Sequence, residues 1–278
     1  MIRYIRVCIK KDSTNSYEAV YGWDIITLKD AGTERSADMI KMPKFMQFDL
    51  VNVNEENRKK WIKKQLQNLP KGSSILDAGA GQLRWKETCS HLKYTSQDFC
   101  QYDGLGNGEG IQNQKFDTSK IDIVSDIIDI PVKDGIYDAI LCTEVLEHLA
   151  YPEMAIKEFS RILCGGGVLI LTAPFCSLTH MAPYHFCTGF NKYWYEKHLE
   201  EYGFEIEIIE SNGDYFSYMQ QELKRLPGVI RTYTGKRSYI TSLIALILYK
   251  LCGKVCTKNN KSDELLCFGY HIRARKVG

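Results

Sequence analysis

The chain has 278 residues, of which 44% are hydrophobic and 25% are charged, and its formal net charge is +2. This length suits one large α/β domain or one domain with an extension, and the composition is that of a soluble globular protein. The small net charge argues against nucleic acid as a partner, because such binding relies on a strong positive field.

The first part of the chain has little regular pattern. Residues 1–42 hold two short runs that suit strands, "IRYIRVCIK" and "YGWDIITL", among polar stretches. We interpret them as an N-terminal extension to a main domain of residues 43–278. A helix is predicted in "NVNEENRKKWIKKQLQNLPKG", where Asn54 can cap the first turn and Pro70 with Gly72 end the helix.

From Ser73 onward, predicted strands and helices alternate. The strands are "SSILDAG", "KYTSQDF", "IDIVSDI", "YDAILCTEV", "GVLILTAP", "EIEIIES" and "LCFGYHIRARK". The helices are "LRWKETCSHL", "PEMAIKEFSRIL", which "CGGG" ends, and "NKYWYEKHLEEYGF". Such alternation predicts an α/β fold with a mostly parallel sheet and helices on both of its faces.

Three consecutive predicted strands each end in an aspartate: Asp77, Asp98 and Asp126. Open α/β sheets bind ligands at the carboxyl ends of their strands, so these acids are expected at one crevice. Gly79 and Gly81 follow the first acid and let the backbone turn sharply and approach a ligand closely. The N–H groups at the start of the next predicted helix would point at the same crevice.

The glycine pattern favours one class of ligand. A dinucleotide site has G-x-G-x-x-G, whereas Gly79 and Gly81 are not followed by a third glycine, and no G-K-[ST] of a phosphate loop is present. Asp77 at this turn would repel a polyphosphate and attract an α-amino group or a sulfonium. Asp98 stands where a carboxylate can accept both ribose hydroxyls, and Asp126 suits the amine of adenine. The stretch therefore favours a cationic ligand that contains a nucleoside.

These segments together resemble the class I S-adenosylmethionine-dependent methyltransferases of the broad type 11 group. The resemblance is carried, in family order and spacing, by "ILDAGAG", "YTSQDF", "IVSDIIDIPVKDGIYDAILCTEVLEHL" and "LCGGGVLILTAPF", over about residues 55–210. It implies a Rossmann-like, seven-stranded, mostly parallel sheet with an antiparallel last strand in "CFGYHIRARK". It also implies S-adenosyl-L-methionine as cofactor. Leu83 departs from the family, where many members have a third small residue, and this departure concerns the first turn of the next helix.

The resemblance also implies cofactor contacts by position. The turn after the first strand would shape the methionine end of the site, and Asp98 would bind ribose with Phe99 beside the adenine. Asp126 and Ile127 would hold the adenine, and the residues after the fourth strand would line the sulfonium. The implied cofactor-binding residues are Asp77, Ala78, Gly79, Ala80, Gly81, Asp98, Phe99, Asp126, Ile127, Thr143 and Glu144.

Methyl transfer to oxygen needs alignment, desolvation and a base that removes the proton of the acceptor. Three histidines at the ligand side of the sheet are our candidate catalytic residues: His180 and His185 in the loop after the fifth strand, and His148 after the fourth. The alternative is structural, with His148 bonded to backbone at a helix start and a loop histidine holding its loop. Family members resembling this chain carry H-x-x-P-x-D in the loop; here His180 and Pro183 match, while His185 replaces the acid.

A metal site is an alternative that the sequence leaves open, and no metal ligand is assigned. Glu144, Glu147 and His148 have i, i+3 and i+4 spacing, which places them on one face of a helical turn. With a downstream histidine they resemble the magnesium or zinc site of small-RNA 2′-O-methyltransferases and of some ubiquinone-pathway O-methyltransferases. The same E-V-L-E-H pattern is also widespread in metal-free methyltransferases.

Residues 223–261 contain nine lysines and arginines and no acid. Within them, an apolar stripe with helical spacing comprises Ile240, Leu243, Ile244, Ile247, Leu248 and Leu251. The run "YITSLIALILYKLC" is shorter than a membrane span. One interpretation is a helical insertion at about 215–262 that packs over the acceptor pocket. The other is an interfacial helix that docks on anionic lipid or holds a lipid-linked substrate.

We therefore expect an S-adenosylmethionine-dependent O-methyltransferase of a small polar acceptor. A sugar hydroxyl in surface-polysaccharide or lipid-linked glycan synthesis is the first candidate, because the resemblance is strongest to members of that group. The alternatives are a metal-dependent RNA 2′-O-methyltransferase and a non-catalytic S-adenosylmethionine-binding module. Ten scattered cysteines without a signal peptide predict reduced thiols in a cytoplasmic protein, with residues 223–261 as the segment for any peripheral contact with the inner membrane face.

Overall fold

The computed structural model describes residues 3–11, 17–25, 48, 52–113, 115–256 and 261–278. The chain divides into two compact units, one made of residues 1–52 and 219–259 and the other of residues 53–218 and 260–278. The strands are β1 (Arg3–Lys11), β2 (Tyr17–Ile25), β3 (Ser74–Ala78), β4 (Lys93–Asp98), β5 (Ile123–Val124), β6 (Tyr137–Thr143), β7 (Leu163–Pro174), β8 (Phe204–Asn212) and β9 (Gly269–Lys276). The helices are α1 (Val53–Gln67), α2 (Pro152–Ile162), α3 (Lys192–Glu201), α4 (Tyr215–Thr234) and α5 (Tyr239–Cys256).

The first unit contains an antiparallel pair, β1 with β2, in which residue 3 lies opposite residue 25. This confirms the two predicted strand runs near the start of the chain. The last three residues of "YGWDIITL" and the polar stretch up to residue 42 lie outside the described residues. The same unit contains α5 and all of α4 except its first four residues.

The second unit is built on a seven-stranded sheet with the order β5-β4-β3-β6-β7-β9-β8. β9 runs antiparallel to both of its neighbours, whereas the remaining neighbouring pairs are parallel. The predicted seven-stranded, mostly parallel, Rossmann-like sheet with an antiparallel last strand is confirmed. The chain leaves β3 toward β4 on one side and returns to β6 on the other, so the strand order reverses beside β3. In open α/β sheets the ligand crevice lies at such a reversal.

Both faces of this sheet are covered. Successive residues of a strand point to opposite faces; accordingly, Leu76 belongs to the core cluster that contains Phe159 of α2, and Ile75 belongs to the cluster that contains Ile62 and Leu66 of α1. A strand covered on both faces has no solvent side, which explains the continuous apolar runs in β3, β6 and β7.

Three local predictions are wrong. Helix α1 begins at Val53, so Asn54 lies inside its first turn and does not cap it. The segment "LRWKETCSHL" forms a series of turns rather than a helix. Its N–H groups bond mostly three residues back, as from Leu83 to Ala80 and from Leu92 to Cys89, and Leu83 has a positive φ of 58° that an α-helix excludes. The predicted helix stop "CGGG" lies inside β7, because α2 ends at Ile162 and the strand begins at the next residue.

Helix α5 is longer than the apolar run seen in the sequence. Its 18 residues have a mean hydropathy of 1.5, and by length and composition alone they could cross a membrane. At 1.5 Å per residue it is roughly 27 Å long. The buried residues of α5 are Ser242, Ala245, Leu246 and Tyr249. The predicted apolar stripe therefore lies on the other side of the helix, and its six residues are exposed.

Candidate active site

The turn after β3 is fixed to the end of β4 by backbone hydrogen bonds. The N–H groups of Gly79 and Ala80 both donate to the carbonyl oxygen of Gln97 at 2.9 Å. The N–H group of Gly81 donates to Oδ2 of Asp98, also at 2.9 Å. The first two strand ends are thus joined into one wall, and the predicted ribose ligand Asp98 is held by the turn that the glycines form.

Gly79 is required at its position for two reasons. Its φ is +73°, a conformation that L-residues with a side chain rarely adopt. A Cβ atom there would also lie 2.4 Å from Cγ2 of Val145, which follows β6. Gly81 has a φ of +51°, but a Cβ atom at Gly81 would meet no atom within 4 Å in the described part of the chain. The first glycine therefore lets two strand ends approach each other, and the second leaves room beside the turn.

Asp77 is only 2% exposed and accepts a hydrogen bond from the Tyr94 hydroxyl at 2.6 Å. Burial raises the pKa of this carboxyl to about 7, against the lowering effect of the Tyr94 hydrogen bond, and Asp98 raises it further. The charged form is therefore costly in the absence of a positive partner. A cationic group in the crevice would supply that partner.

Asp98 and Asp126 differ in how firmly they are held. Asp98 accepts backbone N–H groups on both oxygens, the second from Cys100 at 2.8 Å. Asp126 is exposed, and its Oδ1 accepts the N–H of Ile128 at 3.2 Å. Ile127, the residue after Asp126, is buried. Asp98 thus presents its remaining lone pairs in one fixed direction, whereas Asp126 faces solvent at the rim.

These elements enclose a cavity of about 810 Å³ at the carboxyl edge of the sheet, within the usual range for small-molecule sites. Ten of the eleven predicted cofactor residues line this cavity; the exception is Ala78, whose side chain is wholly buried in the core. His148 also lines it, while His180 and His185 are not among its lining residues. Lining residues that the sequence analysis missed include Arg58, Arg84, Trp85, Gln97 and Tyr102.

Arg58 shows why such residues were missed. It comes from α1, and its guanidinium donates to Oε2 of Glu144 at 2.7 Å across 86 positions of sequence. Thr172 donates to the other oxygen, Oε1, at 2.9 Å. Glu144 therefore has both carboxylate oxygens engaged, and its positive φ of 54° turns it out of line with the residues that follow. No local sequence signal connects α1 to this point.

Three histidine rings lie together beside the cavity. The ring centroids of His148 and His180 are 4.7 Å apart, as are those of His180 and His185. Nδ1 of His148 lies 2.5 Å from the carbonyl oxygen of Tyr184, and Nδ1 of His180 lies 2.8 Å from that of Leu178. The structural role expected for His148, a bond to backbone, is therefore present together with its position on the cavity wall.

Two of the three histidines, His148 and His185, have lowered pKa values, which favour the neutral form. Burial lowers the pKa of His148 to about 4, with a further lowering by His180. The pKa of His185 is also lowered, first by burial and then by His180. Because a neutral imidazole has a lone pair, it can accept a proton or bind a metal at pH 7.

The chain is similar in sequence to known methyltransferases. A family model described as a methyltransferase domain matches residues 52–208. Ajmaline N-methyltransferase from Rauvolfia serpentina is 26% identical to this chain over 110 residues. The matched region covers 36% of this chain and 36% of the length of that relative.

Solved structures with a similar chain path include the [4+2]-cyclase SpnF, with a TM-score of 0.47 and 19% identity over 78% of this chain and 80% of that one. Phosphoethanolamine N-methyltransferase 2 from Haemonchus contortus in complex with S-adenosyl-L-methionine has a TM-score of 0.46 and 15% identity, over 80% of this chain and 53% of that one.

The family model covers more than half of the chain, from the start of α1 to the middle of β8. Within that range lie the strands whose ends form the cavity, with the strand order reversing beside β3. The chain therefore belongs to the methyltransferase-domain family and is a class I S-adenosylmethionine-dependent methyltransferase.

Proposed function

We propose that the chain methylates a hydroxyl oxygen of a small polar acceptor, and that a sugar hydroxyl of a surface or lipid-linked glycan is this acceptor. The observation that carries the proposal is the cluster of three histidines, in which His148 lines the cavity and His180 and His185 lie beside it. An alcohol must lose a proton during methyl transfer, whereas a neutral amine already has a free lone pair.

The residues of the cavity fit the cofactor of the family. Among the described residues no cation pairs with the buried acid Asp77, which would face the positively charged end of the cofactor. Asp98 holds its carboxylate in one direction, as a pair of ribose hydroxyls requires. The open space beside Gly81 leaves room for the ligand to approach the backbone. When bound, S-adenosyl-L-methionine supplies a methyl group on a sulfonium, which is already an excellent leaving group.

The hydrogen bonds of His185 make this histidine our candidate for the base. Ser177 donates its hydroxyl hydrogen to the carbonyl of Thr188 at 2.9 Å and lies 3.1 Å from Nε2 of His185. Because Ser177 has only one hydroxyl hydrogen, His185 must be the donor in the second contact, through Nε2. Its Nδ1 then carries the lone pair, so the proton of an acceptor hydroxyl would pass to this nitrogen.

The experiment that tests the proposal follows the methyl group. The full chain would be incubated with radiolabelled S-adenosyl-L-methionine and a fractionated cell extract, and label would be counted in glycan, lipid-linked glycan, RNA and protein. Label in a glycan fraction, at an alkali-stable ether, is the expected result. Label confined to RNA or protein would overturn the acceptor class, and retained cofactor binding without any transfer would indicate a non-catalytic module.

We expect His185→Asn to lower kcat about 100-fold, the effect of losing a general base, while the affinity for S-adenosyl-L-methionine stays unchanged. Steady-state kinetics with the labelled fraction and calorimetry with the cofactor would measure the two quantities. His91→Asn, a substitution outside the cavity lining, is the matched control. An equal loss of cofactor affinity in His185→Asn would show that this histidine only supports the loop.

A further inference from the structure

We propose that Glu147, His148 and His180 bind a divalent transition-metal cation beside the cofactor cavity. Oε1 of Glu147 lies 3.7 Å from Nε2 of His148 and 3.8 Å from Nε2 of His180. One potential ligand atom from each residue lies within 4.8 Å of the other two. Ligands about 2.0–2.1 Å from a tetrahedral ion are about 3.3 Å apart, so small side-chain shifts would close the site.

The hydrogen bonds of the two rings define which nitrogens face the carboxylate. The carbonyl oxygens of Tyr184 and Leu178 can only accept, so Nδ1 carries the hydrogen in both His148 and His180. Nε2 of both rings therefore has a lone pair. When the Glu147 carboxyl is ionised, its Oε1 and the Nε2 atoms of His148 and His180 face one another, and none of the three carries a hydrogen. Backbone carbonyls that fix metal-binding imidazoles in this way are the usual outer support of such sites.

The burial of Glu147 makes this arrangement costly without a positive charge. The residue is 1% exposed, and within the described residues its Oε2 has no hydrogen-bond partner. The Arg58 guanidinium, which interacts electrostatically with Glu147, is paired directly with Glu144 at 2.7 Å. A buried carboxylate that has one unpaired oxygen, and two imidazole lone pairs opposite the other oxygen, is stabilised by a proton or a cation.

The donor set indicates the chemistry of the cation. Two imidazole nitrogens and one carboxylate oxygen suit zinc, cobalt or manganese, whereas calcium and magnesium prefer sites made of oxygen. Three protein ligands leave positions open for water or for an oxygen atom of an acceptor. The set considered in the sequence was Glu144, Glu147 and His148 with a downstream histidine. Here His180 is that histidine, and Glu144 is left out because it is bonded to Arg58 and Thr172.

The role of the cation rests on the proposed function. A hydroxyl bound to it would become more acidic, its O–H bond would break with transfer of the proton to His185, and the C–O bond would form as the C–S bond of the cofactor breaks. Cation binding itself can be measured without an acceptor, so its failure and the failure of the proposed function are distinguishable.

The test uses tag-free full chain, stripped with a chelator and titrated with Mn²⁺ and Co²⁺ by calorimetry, with Co²⁺ absorption as a second readout. One ion per chain and the visible bands of a four- or five-coordinate Co²⁺ site are expected. Glu147→Gln and His180→Asn should each weaken binding at least 100-fold, whereas His185→Asn and His198→Asn should leave it within about threefold of wild type.

Circular dichroism and cofactor binding show whether each variant folds. Stoichiometric binding that both ligand variants retain would overturn the site. Absence of binding in the wild-type chain, with a melting temperature that the ions do not change, would mean that Glu147 carries a proton instead, since a ligand of the folded state must raise that temperature.

A second inference comes from α5, independently of the site. Seven large apolar residues on one face of this helix are between 44% and 76% exposed: Ile240, Leu243, Ile244, Ile247, Leu248, Leu251 and Val255. Monomeric proteins rarely expose a continuous apolar patch of this size. Residues 223–256 contain seven lysines and arginines and no acid. We propose that this face docks on the surface of an anionic bilayer, where buried apolar side chains and basic charges act together.

Vesicle flotation tests this docking. The full chain should float with vesicles of phosphatidylcholine that contain 30% phosphatidylglycerol, and at least tenfold less protein should float with phosphatidylcholine alone. Ile244→Glu with Ile247→Glu should abolish flotation, while Leu265→Glu, another exposed apolar position, should not. Flotation that ignores anionic lipid, a fraction that resists alkaline extraction as a spanning helix would, or loss of the exposed face in a dimer seen by sedimentation would each overturn the proposal.

Discussion

Gly79→Ala is expected to lower the free energy of unfolding by about 2–4 kcal/mol and to abolish binding of S-adenosyl-L-methionine. The left-handed backbone conformation costs an alanine about 1 kcal/mol, and the added Cβ would lie 2.4 Å from Cγ2 of Val145 and 3.3 Å from its Cβ. Valine is stiff at χ1, so the overlap must move backbone, at about 1–3 kcal/mol. Urea unfolding and calorimetry would measure the two effects.

Gly72→Ala is the matched control for this change. Gly72 has a φ of +83°, and a Cβ atom there meets nothing within 4 Å in the described part of the chain. It should therefore show the conformational cost alone and keep cofactor affinity. Adding Val145→Ala to Gly79→Ala should recover part of the lost stability. If Gly79→Ala lowered the free energy of unfolding no more than Gly72→Ala does, the contact with Val145 would not be the reason for a glycine at position 79.

The strand ends could be predicted from the sequence because their signals are local. An acid after an apolar run, followed by two glycines, fixes a strand end and a turn within a short stretch, and the topology rule for open sheets then places three such ends at one edge. The apolar residues of "LRWKETCSHL" have helical spacing, so the sequence predicts a helix where the structure has turns. Leu83 departs from the family pattern in the sequence, but only the structure gives its positive φ.

The histidine cluster shows what the sequence could not define. The sequence identifies its members as candidate bases, but the i, i+3, i+4 spacing of Glu144, Glu147 and His148 brings them together only in a helical turn. The segment is a short 3-10 turn over Leu146–His148, and the positive φ of Glu144 directs that carboxylate to α1 instead. Long-range partners and loop carbonyls have no periodicity in sequence, so ring tautomers and ligand sets are accessible only in three dimensions.

For helix α5, the sequence predicts the helix but not which of its faces is buried. The apolar spacing correctly predicted a helix, but periodicity does not say which face a neighbour covers. In the structure the covered face includes small or polar residues, Ser242 and Ala245, and the larger apolar stripe is exposed. Hydrophobic residues usually lie inside, so an exposed stripe of this length is itself the informative observation.

Asp77→Asn is expected to stabilise the cofactor-free chain at pH 8 while weakening cofactor binding about 10- to 100-fold, the loss of a charge-assisted contact. The folded-state pKa of Asp77 is raised from 3.8 to about 7, so the native state binds the proton more tightly than the unfolded state. The resulting stabilisation is fully present below pH 3.8 and is lost as the pH rises toward 7, by about 1.4 kcal/mol per unit. The amide of the variant does not titrate and can still accept the hydrogen bond from Tyr94.

The difference between Asp77→Asn and wild type in the free energy of unfolding should therefore be near zero at pH 4 and about 3–4 kcal/mol at pH 8, as measured by urea unfolding at both pH values. Asp122→Asn is the control with the opposite sign, because hydrogen bonds from Ser96 lower the pKa of Asp122. That variant should be less stable than wild type at pH 8, and the difference should shrink as the pH falls. A pH-independent difference for Asp77→Asn would mean that this carboxyl is not titrating in the native state, and an unchanged cofactor affinity would remove it from the binding site.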